Sequence, residues 1–272
     1  MSEVILVCFS DKTNSEHGGM YYPGILDTIK ADETRSGCRV WCISDRSLPC
    51  KNFIPLESCC KSVNELKNKI DRNRWRNWGL LGLKRNLVIW DFINSRSDLT
   101  WPIFPMDNDI PIFSNLEEVY KPLLNNDFCS SIYNKSELYP GGTAGAYSIH
   151  NMECFQAGID LLLSSVLDDL SLTDMTLWSK IYQSGKWKVG NILSKFDGGG
   201  AFDSNMHVSE DRYVMEPSTV PMWGLETKKI TWKDGHPYFT ELLDGSLTIA
   251  HWIHCWGSYK LRTKELIEKA GL

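Results

Sequence analysis

Apolar and polar positions follow two rhythms along this chain. EVILVCF (residues 3–9) and CRVWCIS (38–44) are short, nearly continuous apolar runs rich in β-branched residues, the pattern of buried strands. Between them, the turn-rich SDKTNSEHGG leads into MYYPGILDTIKAD, where Ile25, Leu26 and Ile29 recur at helical spacing. Strand, loop, helix, strand is how a parallel sheet begins. Helical spacing returns over 62–73, where Ser62 and Glu65 have the spacing of a capping box, and over 84–94 and 115–124. It is most regular over 152–170, through Phe155, Ile159, Leu162, Leu163 and Val166, and recurs over 173–185 and 262–272. A strand pair is predicted at 103–104 and 110–113, a glycine-rich turn entering a short strand at 141–151, and a late strand at 247–254. The sum is an α/β protein: a mostly parallel sheet flanked by helices, with an irregular C-terminal part, in a single domain over 1–272.

One stretch breaks this pattern. WPIFPMDNDIPIF (101–113) is apolar except for Asp107, Asn108 and Asp109. Carboxylates inside a buried run are costly unless a positive group meets them. Pro105 and Asn108 favour a bend, and a bend turns both aspartates toward one point. Two oxygens at the end of a strand suit a hard divalent cation such as Mg²⁺ or Mn²⁺; a hairpin turn with exposed polar residues suits the same letters. A second cluster lies far along the chain. HWIHCWGSYKLR (251–262) holds His254, Gly257 and Lys260 at H-x-x-G-x-x-K spacing. An imidazole can complete a metal shell, a glycine admits a ligand close to backbone, and a lysine brings a positive charge to phosphate.

Composition narrows the function classes. The chain has 272 residues, 42% apolar and 23% charged, with 11 tryptophans and a formal net charge of -5. That balance argues against nucleic-acid binding; the basic stretch over 67–85 suits at most a local anion site. The cysteine count, nine, is odd, and the scatter lacks zinc-site spacing, which predicts free thiols in a reducing, cytoplasmic setting. The opening MSEVILVCFS has no signal-peptide pattern, and no apolar run reaches the ~18 residues of a membrane span. There is no P-loop and no G-x-S-x-G elbow.

The D-x-D after an apolar strand, with a late H-x-x-G-x-x-K, resembles the GT-A glycosyltransferases, especially retaining glycosyltransferase family 8, the family of glycogenin and the bacterial lipooligosaccharide galactosyltransferases. Three landmarks fall in the family's order: FSD at 9–11, TAGAYSIHN at 143–151 and TDMT at 173–176. The resemblance implies a Rossmann-like GT-A fold, with a nucleotide-binding half over 1–114 and a sugar- and acceptor-binding half over 115–272. It implies metal-dependent transfer of a sugar from a nucleotide-sugar donor, a UDP-sugar, to a hydroxyl of a glycan, protein or lipid. Asp107, Asp109 and His254 are then the ligands of Mn²⁺ (or Mg²⁺). Asp107, Asn108, Gly257 and Lys260 lie at the diphosphate, Asp11 at the base or ribose, and Lys84 and Arg85 within reach of phosphate or sugar. Asp174 contacts the donor sugar near the anomeric carbon. The sequence departs from the family at Met175, at Leu261–Arg262 and at Thr143. An inverting enzyme needs a carboxylate base instead, for which Asp174, Asp197 and Asp203 are candidates. The loop over 195–207 is read as a lid, and Trp223 or Trp256 as a ring platform. Partners are the donor and acceptor, with at most a weak homodimer. Two other readings use the same residues: a nucleotidyltransferase releasing pyrophosphate, and a sugar-nucleotide-binding module without catalysis.

Overall fold

The computed structural model describes residues 1–8, 24–70, 79–130, 147–169, 172–191, 206–209, 212–215, 228–240, 247–253 and 263–272. The predicted opening unit forms as β1 (Glu3–Cys8), α1 (Ile25–Arg35) and β2 (Arg39–Ser44). All six residues of β1 are buried, because helices cover both faces of the sheet. Val4, Leu6 and Cys8 pack with Val40, Cys42 and α1 on one face; Ile5 and Val7 pack with Trp41 and Ile43 on the other. That second face is covered by α2 (Lys61–Lys67), α3 (Gly79–Asn94), α5 (Met152–Ser165) and α6 (Asp174–Gln183).

Seven strands lie in the order β3-β2-β1-β4-β6-β5-β7, with β3 at Asn52–Pro55, β4 at Ile103–Met106, β5 at Phe128–Ser130, β6 at Ser148–Ile149 and β7 at Val189–Asn191. Pairings β3–β2, β2–β1, β1–β4 and β5–β7 are parallel; β6 is antiparallel to both of its neighbours. The sheet is therefore mostly parallel with one reversed strand, the α/β class expected. From β1 the chain builds outward to β2 and β3, then returns to place β4 on the other side of β1. The gap between the carboxyl ends of β1 and β4 is the topological switch point, where open α/β sheets bind ligands.

Three expectations need correction. Residues 110–113 form no strand: Ile112 makes an isolated bridge to Trp252, and Phe113 N–H donates to the His251 carbonyl. The Ser62–Glu65 capping box is not made. Asp91, from α3, accepts from both the Ser62 N–H (2.7 Å) and its Oγ (2.6 Å), so a tertiary carboxylate replaces the local cap. Pro105, read as part of the bend, lies inside β4. Its carbonyl accepts from Tyr147 N–H on the β6 side, where only Ile103 is paired with β6, so the missing proline donor falls where the ladder has already opened.

α4 (Leu116–Tyr120) is capped by Asn115, whose side chain accepts from the N–H groups of Glu117 and Glu118. α6 is capped by Thr173 in a reciprocal box with Thr176. Within the C-terminal part, β8 (Met206–Ser209), β9 (Arg212–Met215), β10 (Lys228–Lys233), β11 (His236–Thr240) and β12 (Leu247–Ile249) form an antiparallel five-stranded sheet, of which β12 falls on the strand expected at 247–254. The terminal helix α7 (Thr263–Lys269) packs on α1 through Ala31, Leu266, Ile267 and Ala270. Among the described residues, no helix is long and apolar enough to cross a membrane.

Asp32 anchors the stretch that leaves the Asp107 region. It is fully buried in α1, and its Oδ1 accepts from Ile112 N–H at 2.8 Å. Its Oδ2 has no hydrogen-bond partner among the described residues. Burial pushes this carboxyl well above the usual carboxylate range, against the opposing Ile112 bond. The folded chain thus holds a proton that the unfolded chain releases, so stability falls as pH rises above the ordinary carboxylate value. Asp32→Asn keeps the acceptor without the titration. Urea unfolding at pH 4.5 and pH 7 is expected to show the variant gaining on the wild type as pH rises; a constant difference would mean that the folded carboxyl is not held protonated.

Candidate active site at the end of β4

The chain leaves β4 in a tight turn: Ile110 N–H donates to the Asp107 carbonyl at 3.1 Å, with Asn108 and Asp109 at its centre. This turn sits at the switch point. Asn108 Nδ2 donates to Cys8 Sγ at 3.4 Å and ties the end of β4 to the end of β1. Burial pushes the Cys8 thiol up to about 12, with the Asn108 bond opposing. Asn108 and Asp109 are buried, whereas the Asp107 side chain is 25% exposed.

The positive group demanded by the sequence is Arg85. Its guanidinium Nη1 pairs with Asp107 Oδ1, and its side chain is only 3% exposed. Arg85 comes from α3, a helix apolar on most sides, so a buried cation there is tolerable only with its carboxylate in place. On a helix, residues 82, 85 and 86 share one face. Asn86, fully buried, accepts from the Tyr147 hydroxyl at 2.6 Å and donates to the Gly82 carbonyl at 2.8 Å. The Arg85 guanidinium lies 5.8 Å from the Tyr147 ring centroid. Gly82 leaves space for Asp174: a Cβ there would collide with the Asp174 carboxylate. Asp174 is the first residue of α6, where the helix dipole favours a negative charge. Burial raises the Tyr147 phenol above its usual range; Arg85 pulls it down and Asp174 pushes it up, so both charges act on one hydroxyl.

Asp107, Asn108, Asp109, Arg85 and Asp174 therefore gather around the ends of β4 and α6. Lys84 is half-buried and lies about 100° round α3 from Arg85. Asp11, Asp197, Asp203, Trp223, His254, Trp256, Gly257 and Lys260 lie outside the described residues, as does the lid stretch up to residue 205. Sequence reasoning missed Gly82, Asn86 and Tyr147. The signal was present: G-x-x-R-N is a polar interruption of an otherwise apolar helix, placed on a single face.

The donor set bears on a metal. Among the described residues, no three His, Cys, Asp or Glu side chains gather as a metal shell. The Asp107–Asp109 turn supplies two carboxylates, the oxygen donors that Mg²⁺ and Mn²⁺ take. A carboxylate has about four acceptor positions, so Asp107 can serve Arg85 and a cation together. The residues present fit such an ion, with His254 the further donor implied by the sequence.

The chain matches no family model and no curated protein. Among solved structures it is similar to mouse xyloside xylosyltransferase 1, with 8% identity over 70% of this chain and 84% of that one and a TM-score of 0.45. It is also similar to the glycosyltransferase GlyE of Streptococcus pneumoniae, with 12% identity over 70% of this chain and a TM-score of 0.39. The match covers 44% of GlyE, less than half of its length. The galactosyltransferase LgtC, solved with donor and acceptor sugar analogues, aligns at 10% identity over 70% of this chain and 72% of that chain, with a TM-score of 0.37.

Proposed function

We propose that this protein is a metal-dependent glycosyltransferase of the GT-A type that moves a sugar from a UDP-sugar to an acceptor hydroxyl of a glycan, protein or lipid. The observation that carries this reading is the Asp107–Asp109 turn at the switch point of a mostly parallel sheet, with Arg85 on Asp107 and Asp174 on the same face of α3. Asp107 and Asp109, with His254, would hold Mn²⁺ or Mg²⁺. The bound ion would offset charge on the diphosphate as it leaves. Arg85 adds a fixed positive charge beside that position at no reorganisation cost, because Asp107 already orients it. Asp174 lies at the positive end of α6, where the helix dipole favours the negative charge that a carboxylate beside a sugar bearing positive charge must carry. The sequence resemblance favours retention of the anomeric configuration over inversion.

A thermal-shift screen of UDP-, GDP- and dTDP-sugars, with Mn²⁺ and with chelator, tests this. At a hundredfold excess over Kd a ligand stabilises by about 2.7 kcal/mol, which raises Tm by several degrees. A rise with a UDP-sugar and Mn²⁺ that chelator abolishes is expected, followed by release of UDP on turnover. Release of pyrophosphate would assign the site to nucleotidyl transfer, and binding with no release of either would leave only a binding module.

A further inference from the structure

A second cleft, of about 600 Å³, opens where the end of α1, the stretch over 113–115, α4 and the strands β11 and β12 meet. That volume suits a small organic molecule rather than a single ion. A helix that links two parallel strands runs back against them, so the end of α1 marks the amino-terminal end of the sheet, opposite the Asp107 turn. Leu116 N–H donates to the Ser36 carbonyl at 2.8 Å and holds α4 at that end.

Arg35 is the cation of this cleft, and it is fixed without being neutralised. The β10–β11 hairpin turns at Asp234 and Gly235, whose φ angles are 52° and 74°. A Cβ at Gly235 would come within 2.9 Å of the Ala270 carbonyl oxygen and 3.4 Å of Arg35 Nη2, so a glycine lets the turn press against both. Arg35 Nη2 donates to that same carbonyl at 3.1 Å. A carbonyl orients the guanidinium but leaves its charge, and no carboxylate among the described residues forms an ion pair with it.

The residue after the turn is His236, which also lines the cleft. Its Nδ1 is buried with no hydrogen-bond partner among the described residues. An orphaned buried N–H costs more than an orphaned lone pair, so the ring proton sits on Nε2 and the imidazole donates from that side. Ser114 contributes a hydroxyl, 2.9 Å from His251 Nδ1. Asn115 contributes its Nδ2, because its Oδ1 is taken by the N–H groups of Glu117 and Glu118. Phe113 gives an apolar wall, and Glu118, exposed, adds one carboxylate. One uncompensated cation among neutral donors suits a ligand with a single anionic group; the carboxylate disfavours a polyanion.

We propose that this cleft binds a small polyhydroxylated ligand with one anionic group, of the sugar-phosphate or sugar-acid class. Arg35 and His236 meet the anion, Ser114 and Asn115 exchange hydrogen bonds with hydroxyls, and Phe113 receives the apolar face of the ring.

Calorimetric titration of the intact chain with glucose 6-phosphate, glucuronate and glucose, with no divalent metal added, tests this. Saturable binding of at least one of the two anions is expected, with glucose at least ~10-fold weaker. The tighter of the two anions identifies whether phosphate or carboxylate is read. Arg35→Gln keeps a donor for the Ala270 carbonyl but loses the charge, and should weaken the anion about 10-fold. Glu118→Gln changes an exposed side chain and should tighten the anion about twofold at low salt, and less as salt rises. Glucose binding as tightly as the anions, or neither anion binding at ~10 mM, would overturn the proposal. So would the two variants shifting affinity in the same direction, or displacement of the anion by UDP with Mn²⁺. The titration uses neither metal nor sugar nucleotide, so its failure leaves the sugar-transfer reading untouched.

Discussion

Replacing Asp107 by alanine is expected to lower the unfolding free energy by about 3 kcal/mol and to reduce sugar transfer at least ~100-fold. The stability loss comes from Arg85, not from Asp107. Arg85 is 3% exposed and Asp107 25%, so the deletion leaves a cation inside the protein while its former partner position opens to water. The partial exposure of Asp107 sets the loss at the low end of the range for a broken buried pair. The double variant Arg85→Leu/Asp107→Leu removes both charges and should recover most of the stability without recovering transfer. Urea unfolding of both variants, read beside UDP release, separates the two roles. Equal stability of Asp107→Ala and wild type would show that the ion pair does not hold the site, and full activity would remove Asp107 from the chemistry.

The second large effect lies behind the site. Trp178, on α6, stacks on Phe155 (centroids 5.7 Å apart, planes at 10°) and on Phe128 (4.9 Å, 19°), and Tyr147 packs beside it at 5.4 Å. Gly158 of α5 admits the indole: a Cβ there would come within 2.9 Å of it. Trp178→Ala empties a site joining α5, α6, β5 and the residue before β6, and is expected to cost about 3–5 kcal/mol. In a chain of this size that lowers Tm by roughly 10 °C. Trp178→Phe keeps a stacking ring and should lose clearly less. Because Tyr147 leans on the indole and bonds Asn86, the alanine variant should also weaken donor binding at temperatures where it stays folded. A Tm within about 2 °C of wild type would mean the cluster closes over the gap.

Much of this architecture can be read from the residues. β1, β2, α1, α3, α5, α6 and α7 appear where periodicity places them, because each is long enough, or apolar enough, for the pattern to rise above chance. β3, β5 and β7 have three or four residues, too few for alternation to register, and they exist because an already formed sheet offers an edge. Ser62 misled for the opposite reason: a local pattern was complete, and Asp91 from a distant helix outcompeted it. At the site, the charged members were legible because charge in an apolar run is conspicuous. Arg85 and Asp174 were named for different tasks, and only the fold brings them to one face of α3. Gly82 and Asn86 left only the faint G-x-x-R-N signal on one face of α3, and Tyr147 left none, since a phenol inside an apolar segment looks like ordinary packing until its neighbours are known.

The guanidinium lock on Asp107 has a consequence for how the chain reaches its native state. Many metalloproteins bring acidic ligands together only when an ion arrives, so chelators unfold them. Here the turn's most exposed carboxylate already has an internal counter-ion, and its repulsion from Asp109 is relieved before any solute enters. The turn can then close on the chain's own charges alone, whatever ions the solution holds.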